Sequence, residues 1–355
     1  MGIVMSDFLN KKNIQFTNVS PFAKDIGDYD LLIVGGGHIL RESTDSFYNN
    51  FRVWGRHILN TVDVTNAQNL QYLKDYKYIS VRSTVAANKL RKQKVNAVYV
   101  PDICINMQAK NTAVKIPRDS IGIHFMAGRG GMDISKHIKF VKDLTETNNV
   151  VLIPFTHYAN DYAYLKKIHS AVPKTVLLEK LEPQVLFDTI GKLKMLVSMS
   201  LHATIFAYSQ NVNFIVAEEP KYKKIGSFLK DRGMQHRIYT DNMSLTKKTK
   251  YYINKKNTNF NKKLNIDRLL LRKHFAKILF IINNLQPQPE LVSIYSALTT
   301  MEREKYLMTA ELELAQNKIK YLNSSRKIMA KELKQIESTK SHKLVVFLNK
   351  HIMHK

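Results

Sequence analysis

The sequence predicts an α/β protein of two doubly wound layers, followed by one long C-terminal helix. Three observations carry this expectation. Short apolar runs alternate with helical stretches along the first 285 residues, a Gln286-Pro287-Gln288-Pro289 breaker ends that alternation, and a strict four–three apolar spacing follows it. At 355 residues the chain is also too long for one ordinary core.

The first unit is expected over residues 1–117. Tyr29–Val34 (YDLLIV) is a short apolar run closing on Gly35-Gly36-Gly37, the pattern of a buried parallel strand that ends in a tight loop. A helical stretch around Phe47–Leu59 follows. Tyr78–Val81 reads as a second strand, Val85–Gln93 as a helix, and Ala97–Val100 as a third strand running into Pro101-Asp102.

The second unit spans 118–285. Ser120–Phe125, Val150–Pro154, Thr175–Leu178, Met195–Met199 and Asn213–Ala217 read as strands. Ile134–Asn148, Asp161–Ala171, Glu182–Ile190, Leu201–Ser209, Lys223–Arg232 and Ile266–Leu285 read as helices. Two such layers facing a cleft give a GT-B-like architecture of two Rossmann-like domains, whose ligands bind outside the carboxyl ends of the strands.

Residues 290–337 are expected to form a coiled coil. Of the thirteen positions spaced four and three apart from Ile294 to Ile336, eleven are apolar, and Lys305 and Arg326 interrupt the seam. The expected consequence is homo-oligomerisation through residues 294–336. The tail, 338–355, sets Leu344-Val345-Val346-Phe347-Leu348 among basic residues, a composition that suits a membrane surface.

Composition narrows the function classes. A hydrophobic fraction of 44% supports packed cores and excludes a wholly disordered chain. The single cysteine, Cys104, excludes an intramolecular disulfide framework and a multi-cysteine zinc site, and fits a reducing compartment. The opening MGIVMSDFLNKKN has no apolar run ahead of a small-residue cleavage site, so no secretory leader is expected. With no apolar stretch near the ~20 residues of a membrane span, a cytoplasmic location is expected, extending to the inner face of the membrane.

The net charge is +26, from 55 Lys+Arg against 29 Asp+Glu. Between Lys221 and Ile278, 17 cations face three acids, Asp231, Asp241 and Asp267. No nucleic-acid motif accompanies this surplus, so an anionic membrane face is the better partner and nucleic acid is not expected.

Candidate chemistry sits at strand ends. Gly35, Gly36 and Gly37 remove three Cβ atoms where a strand turns over, which lets backbone amides approach an anion or sugar. Arg82 ends the YISV strand and Asp102 follows AVYV. His124 and Arg129 flank the first loop of the second unit, and Lys223 and Lys224 open a helix. His202 stands at a strand-to-helix junction, where an imidazole can face the cleft and move protons near neutral pH.

In order, DYDLLIVGGG, YISVRSTVAANKL, VYVPD and MLVSMSLHATIFAYSQNVNFIVAEEPKYKKIGSFLKDRGM resemble the polysaccharide pyruvyl transferase family over roughly Asp30 to Met234. Members of that family carry a strand ending in GGG, an Arg-containing segment, a Pro-Asp strand end and an Arg-Leu-His motif. The resemblance implies transfer of a pyruvyl group from phosphoenolpyruvate to two hydroxyls of a sugar, forming a cyclic ketal in surface-polysaccharide synthesis. Phosphoenolpyruvate is then a donor substrate, with no cofactor and no obligatory metal, and the acceptor is a saccharide, free or lipid-linked.

Carried over by motif, His202 is the acid–base residue. Arg82, Ser200, Leu201, Lys224 and Arg129 are the expected donor-binding set, Arg129 by its place at a strand end and not by a motif position, and Gly35, Gly36, Gly37 and Asp102 form the loop at the cleft. The chain departs from the family at three places. Ser200 stands where the motif has arginine, Ser83 replaces the acid after Arg82, and the N-terminal Asn-x-Gly-Asp loop is absent. A serine cannot replace a bidentate cation, whose charged hydrogen bond is worth about 1.5–3 kcal/mol. Two alternatives therefore stand beside pyruvyl transfer: a glycosyltransferase using a nucleotide sugar on the same scaffold, and a degenerate, non-catalytic oligomeric scaffold.

Overall fold

The computed structural model describes residues 1–19, 29–37, 39–40, 57–64, 73, 76–110, 114–127, 133–155, 160–217, 224–255 and 259–285, and beyond them positions 308, 312, 316, 319, 322, 323, 326 and 330.

Two wholly parallel sheets organise the chain. The first contains β1 (Leu32–Gly35), β2 (His57–Val62), β3 (Tyr78–Val81) and β4 (Val98–Tyr99), in that spatial order. The second has the order β10-β9-β8-β5-β6-β7, from β5 (Ile121–Ile123), β6 (Val150–Leu152), β7 (Val176–Leu177), β8 (Met195–Ser198), β9 (Asn213–Ala217) and β10 (Ile238–Tyr239). The reversal between β5–β6–β7 and β8–β9–β10 opens a crevice at the carboxyl ends of β5 and β8, where open parallel sheets place their ligands.

Strand β2 corrects one expectation. The helix expected over Phe47–Leu59 cannot extend through its last three residues, because 57–59 belong to β2; residues 47–56 lie outside the described set. HILNTV is buried along its whole length. A central parallel strand covered on both faces loses the period-2 alternation that would mark it in sequence.

Helices pack around both layers. Among the described residues they are α1 (Gly2–Asn10), α2 (Thr84–Lys92), α3 (Ile134–Thr145), α4 (Asp161–Ala171), α5 (Pro183–Gly191), α6 (Leu201–Ser209), α7 (Lys224–Lys230), α8 (Asn242–Asn254) and α9 (Asn261–Asn283). The sequence reading missed α1, α8 and β10. Helix α8 has a legible start: the Asp241 carboxylate accepts from the Ser244 amide, and the Ser244 hydroxyl serves the Asp241 backbone in return, forming a capping box.

One continuous core joins the layers. Val100, Ile103 and Ile105 beyond the first sheet are buried in the same cluster as Leu196, Phe206 and Phe214 of the second and Ile278 of α9. Helix α9 also crosses back to the first sheet. The ring of His274 donates from Nε2 to the Asn60 side-chain carbonyl at 2.8 Å and accepts from the Tyr78 hydroxyl at Nδ1, 3.0 Å away. Asp231, after α7, caps the start of α2 by accepting from the Thr84 amide and hydroxyl. A carboxylate at that end of a helix faces its positive pole.

No helix among the described residues is long and apolar enough to cross a membrane. In the heptad region, Met308, Leu312, Ile319 and Leu322 are helical and exposed. Gln316, Asn323, Arg326 and Ala330 are likewise helical and exposed, and the other residues of 290–337 and the 338–355 tail lie outside the described residues.

Candidate active site

The carboxyl ends of all four strands in the first sheet are tied into one lateral chain. After β1 the backbone turns over at Gly36 (φ +101°) and Gly37 (φ +69°), a left-handed path that favours glycine. The Gly37 carbonyl accepts from the Asp63 amide at 3.0 Å. Asp63 follows β2, and its carboxylate accepts from Arg82 Nε at 3.2 Å. Arg82 follows β3, and its Nη1 donates to Asp102 Oδ2 at 3.1 Å. Asp102 follows β4, and the same oxygen lies 3.8 Å from Nε2 of His202. That last contact spans the two sheets, because His202 stands in the first turn of α6, directly after β8.

A bulge aims Asp63 at Arg82. Leu59 pairs with Ile79 and Val62 with Val81, so β2 carries one extra residue over that stretch. Thr61 takes up the irregularity at φ +47°, a strained backbone for a β-branched residue. Ser80 bridges the gap, its hydroxyl accepting from the Thr61 amide at 2.9 Å and donating to the Leu59 carbonyl at 3.0 Å. Neither Asp63 nor this bulge was read from the sequence.

Arg82 is therefore held between two buried carboxylates and is itself only 6% exposed. It serves as the structural counter-ion of the cluster in this conformation. Asp102 also caps the 3-10 turn Ile103–Asn106, its Oδ1 accepting from the Cys104 amide at 3.0 Å. Burial pushes the Asp102 carboxyl up, but the charges of His202 and Arg82 and the Cys104 amide outweigh it and hold the pKa at about 2. At neutral pH the imidazole is uncharged, so Arg82 is what keeps Asp102 ionised.

His202 has 41% of its side-chain surface open to solvent, yet its Nε2 is shut off from water and has no hydrogen-bond partner. Burial of that edge lowers its pKa to about 4. Asp102 works against the shift, while Arg82, the chain's amino terminus and Lys224 add to it. The result is a neutral imidazole with one edge facing an ionised carboxylate and another part facing the crevice. This arrangement can accept a proton from a bound hydroxyl and pass it on.

Ser200 has a local role. It is the N-cap of α6: its hydroxyl accepts from the Ala203 amide at 3.4 Å, and its own amide donates to the Ser198 hydroxyl at 2.9 Å. Leu201 is buried beneath it. Lys224 is the first residue of α7 and bears electrostatically on His202. Gly35 ends β1, and Gly36 and Gly37 form the loop after it. Arg129 and Lys223 lie outside the described residues.

His124 is not part of this group. It is fully buried, with Nε2 donating to Asp161 at 3.1 Å and Nδ1 accepting from the Met199 amide at 3.4 Å, which ties β5 to β8 and α4. Cys104, read in the sequence only for its bearing on disulfides and zinc, stands beside the site. One donor atom each from Asp102, Cys104 and His202 lies within 4.8 Å of the others. Burial and the Asp102 charge push the Cys104 thiol well above the usual range, so it stays protonated. The Arg82 guanidinium seated on Asp102 opposes a dication at the same oxygen.

The family model for polysaccharide pyruvyl transferase matches residues 3–218. The chain belongs to the polysaccharide pyruvyl transferase family, transferases of polysaccharide synthesis. No curated protein matches the chain. Among solved structures, similarity extends to a putative UDP-N-acetylglucosamine 2-epimerase from Listeria monocytogenes, 11% identical over 78% of this chain and 79% of that one, with a TM-score of 0.47. It also extends to the UDP-GlcNAc 2-epimerase from Methanocaldococcus jannaschii, 12% identical over 76% and 81%, with a TM-score of 0.46.

Proposed function

We propose that this protein transfers the pyruvyl group of phosphoenolpyruvate to two hydroxyls of a saccharide, forming a ketal, with His202 as its proton-handling residue. The observation that carries this reading is His202 itself: a neutral imidazole at the junction of the two sheets, backed by an Asp102 carboxylate that Arg82 keeps charged.

The chemistry balances with these groups. One acceptor hydroxyl attacks C2 of the enol ester while its methylene carbon gains a proton and becomes methyl. The second hydroxyl then displaces phosphate. Two hydroxyl protons are released, one ending on the methyl carbon and one on the departing phosphate. His202 takes a proton from an attacking hydroxyl, and Asp102 stabilises the imidazolium formed. Lys224, whose charge bears on His202, and the amides at the start of α6 are the groups proposed to meet phosphate. The test is phosphate release from phosphoenolpyruvate with saccharide acceptors. His202→Ala should abolish it, and undiminished turnover would remove His202 from this role.

A second reading has a specific observation behind it. Ser200 caps a helix where the family motif carries arginine, and Arg82 is held by two carboxylates, so among the described residues neither motif position offers a free guanidinium to a phosphate-and-carboxylate donor. A nucleotide-sugar donor, held through its diphosphate by lysines, is the alternative. Thermal stabilisation by a nucleotide sugar, with none by phosphoenolpyruvate, would favour it. On either reading the 294–336 heptads assemble copies of the chain, and the protein works in the cytoplasm.

A further inference from the structure

Helix α9 is amphipathic in an unusual sense. Its inner face, Leu264, Asp267, Leu271, His274 and Ile278, is buried. Its only carboxylate, Asp267, is on that face, bound by Arg232 Nε at 2.9 Å and by the Tyr208 hydroxyl at 2.9 Å. Every cation of the helix is exposed: Lys262, Lys263, Arg268, Arg272, Lys273 and Lys277. The outer face thus carries six positive charges and no negative one.

Large apolar side chains stand among those charges. Ile266 and Leu269 are each 50% exposed and Phe280 is 58% exposed. Positions 262, 266, 269, 273, 277 and 280 are spaced by three and four residues, so Lys262, Ile266, Leu269, Lys273, Lys277 and Phe280 share one stripe along about 27 Å of helix. Lys277 Nζ lies 5.0 Å from the Phe280 ring centre.

We infer that the outer face of α9 docks the protein on an anionic lipid surface. Six cations without a carboxylate demand an anionic partner. The apolar stripe between them then selects the kind of anion: Ile266, Leu269 and Phe280 gain by entering the headgroup–acyl boundary while the lysines meet lipid phosphates. A nucleic acid would use the charges but leave Ile266 and Leu269 in water. Because the opposite face of α9 is held by the protein core, docking proceeds by side-chain insertion from a fixed helix.

The test is co-sedimentation of the full-length protein with phosphatidylcholine vesicles, with and without about one-third phosphatidylglycerol, over a range of salt. Two variants are compared: Lys262→Gln/Lys273→Gln/Lys277→Gln, and Ile266→Ser/Leu269→Ser/Phe280→Ser. All six positions are exposed, so thermal unfolding should stay at the native midpoint. Native protein is expected to bind only the anionic vesicles. The lysine variant should lose about 100-fold in affinity, and the apolar variant at least tenfold. Equal binding by native protein and both variants would overturn the proposal. So would equal binding to neutral vesicles, or lysine-dependent binding to RNA with none to vesicles. Loss of self-association in the apolar variant, without vesicle binding by the native chain, would assign the face to a second copy and equally overturn it.

Discussion

Nε2 of His202 lies 3.8 Å from Oδ2 of Asp102, and the two side chains reach each other from the carboxyl ends of strands in different sheets. The proton-handling group and its carboxylate therefore come into register only when both layers are folded together.

That pairing sets a pH dependence. His202 acts as a base in its neutral form, so kcat/KM should rise with pH through about 4 and stay level through neutrality. The Asp102 charge favours the protonated ring, so Asp102→Asn should move the rising limb to lower pH. The same variant should reduce turnover by about 10²-fold through loss of imidazolium stabilisation. A pH–rate profile of the two proteins checks this, and coincident profiles would separate Asp102 from His202.

Arg82 answers to stability before activity. It neutralises two buried carboxylates, and its removal leaves both uncompensated. Arg82→Ala should cost about 3–5 kcal/mol in urea unfolding. Asp63→Asn, which leaves Arg82 with Asp102, should cost less. Equal stability of Arg82→Ala and native protein would contradict the ion cluster.

Buried histidines tie stability to pH. His137, stacked on Phe125 and bonded to the Tyr164 hydroxyl, and His274, held by Asn60 and Tyr78, both have pKa values lowered to about 4 by burial. The unfolded chain, with ordinary values near 6.5, binds more protons between these limits. Their stabilisation is thus fully present above about pH 6.5 and is lost as pH falls towards 4, by roughly 2–3 kcal/mol apiece. Asp102, with a pKa of about 2, contributes only to a lower acid limb. Unfolding free energies at pH 7 and 4.5 measure this, and His137→Gln should flatten the dependence.

Ser200 separates capping from donor binding. Ser200→Ala should cost ~1 kcal/mol through the lost helix cap, with little effect on ligand affinity. Ser200→Arg should lose a similar cap contribution but restore a cation beside Leu201 and His202. Its affinity for phosphoenolpyruvate is expected to rise ten- to a hundredfold, by about 1.5–3 kcal/mol. Calorimetric titration of the three proteins distinguishes these effects.

Much of the frame was legible because its signals are local. The β1 run closing on Gly35, the β3 run ending at Arg82 and the β4 run ending before Asp102 appear in sequence as short apolar stretches with breakers. Helices α4 and α6 occupy the stretches 161–171 and 201–209 that the sequence marks for them. Strand β2 was hidden because burial on both faces erases alternation, and Asp63 was hidden with it. The partnerships were not legible at all. Nothing near Arg82 in sequence says that its charge is shared by carboxylates 19 and 20 residues away. His124 and His202 both follow strands, and only packing makes one a buried brace and the other a group facing the crevice.

The most direct measurement is calorimetric titration of phosphoenolpyruvate into the full-length protein and into His202→Ala, with a panel of nucleotide sugars alongside. Pyruvyl transfer predicts saturable phosphoenolpyruvate binding by the native chain, weakened in the variant, and no nucleotide-sugar binding. Saturable binding of a nucleotide sugar, with no heat from phosphoenolpyruvate, would contradict it.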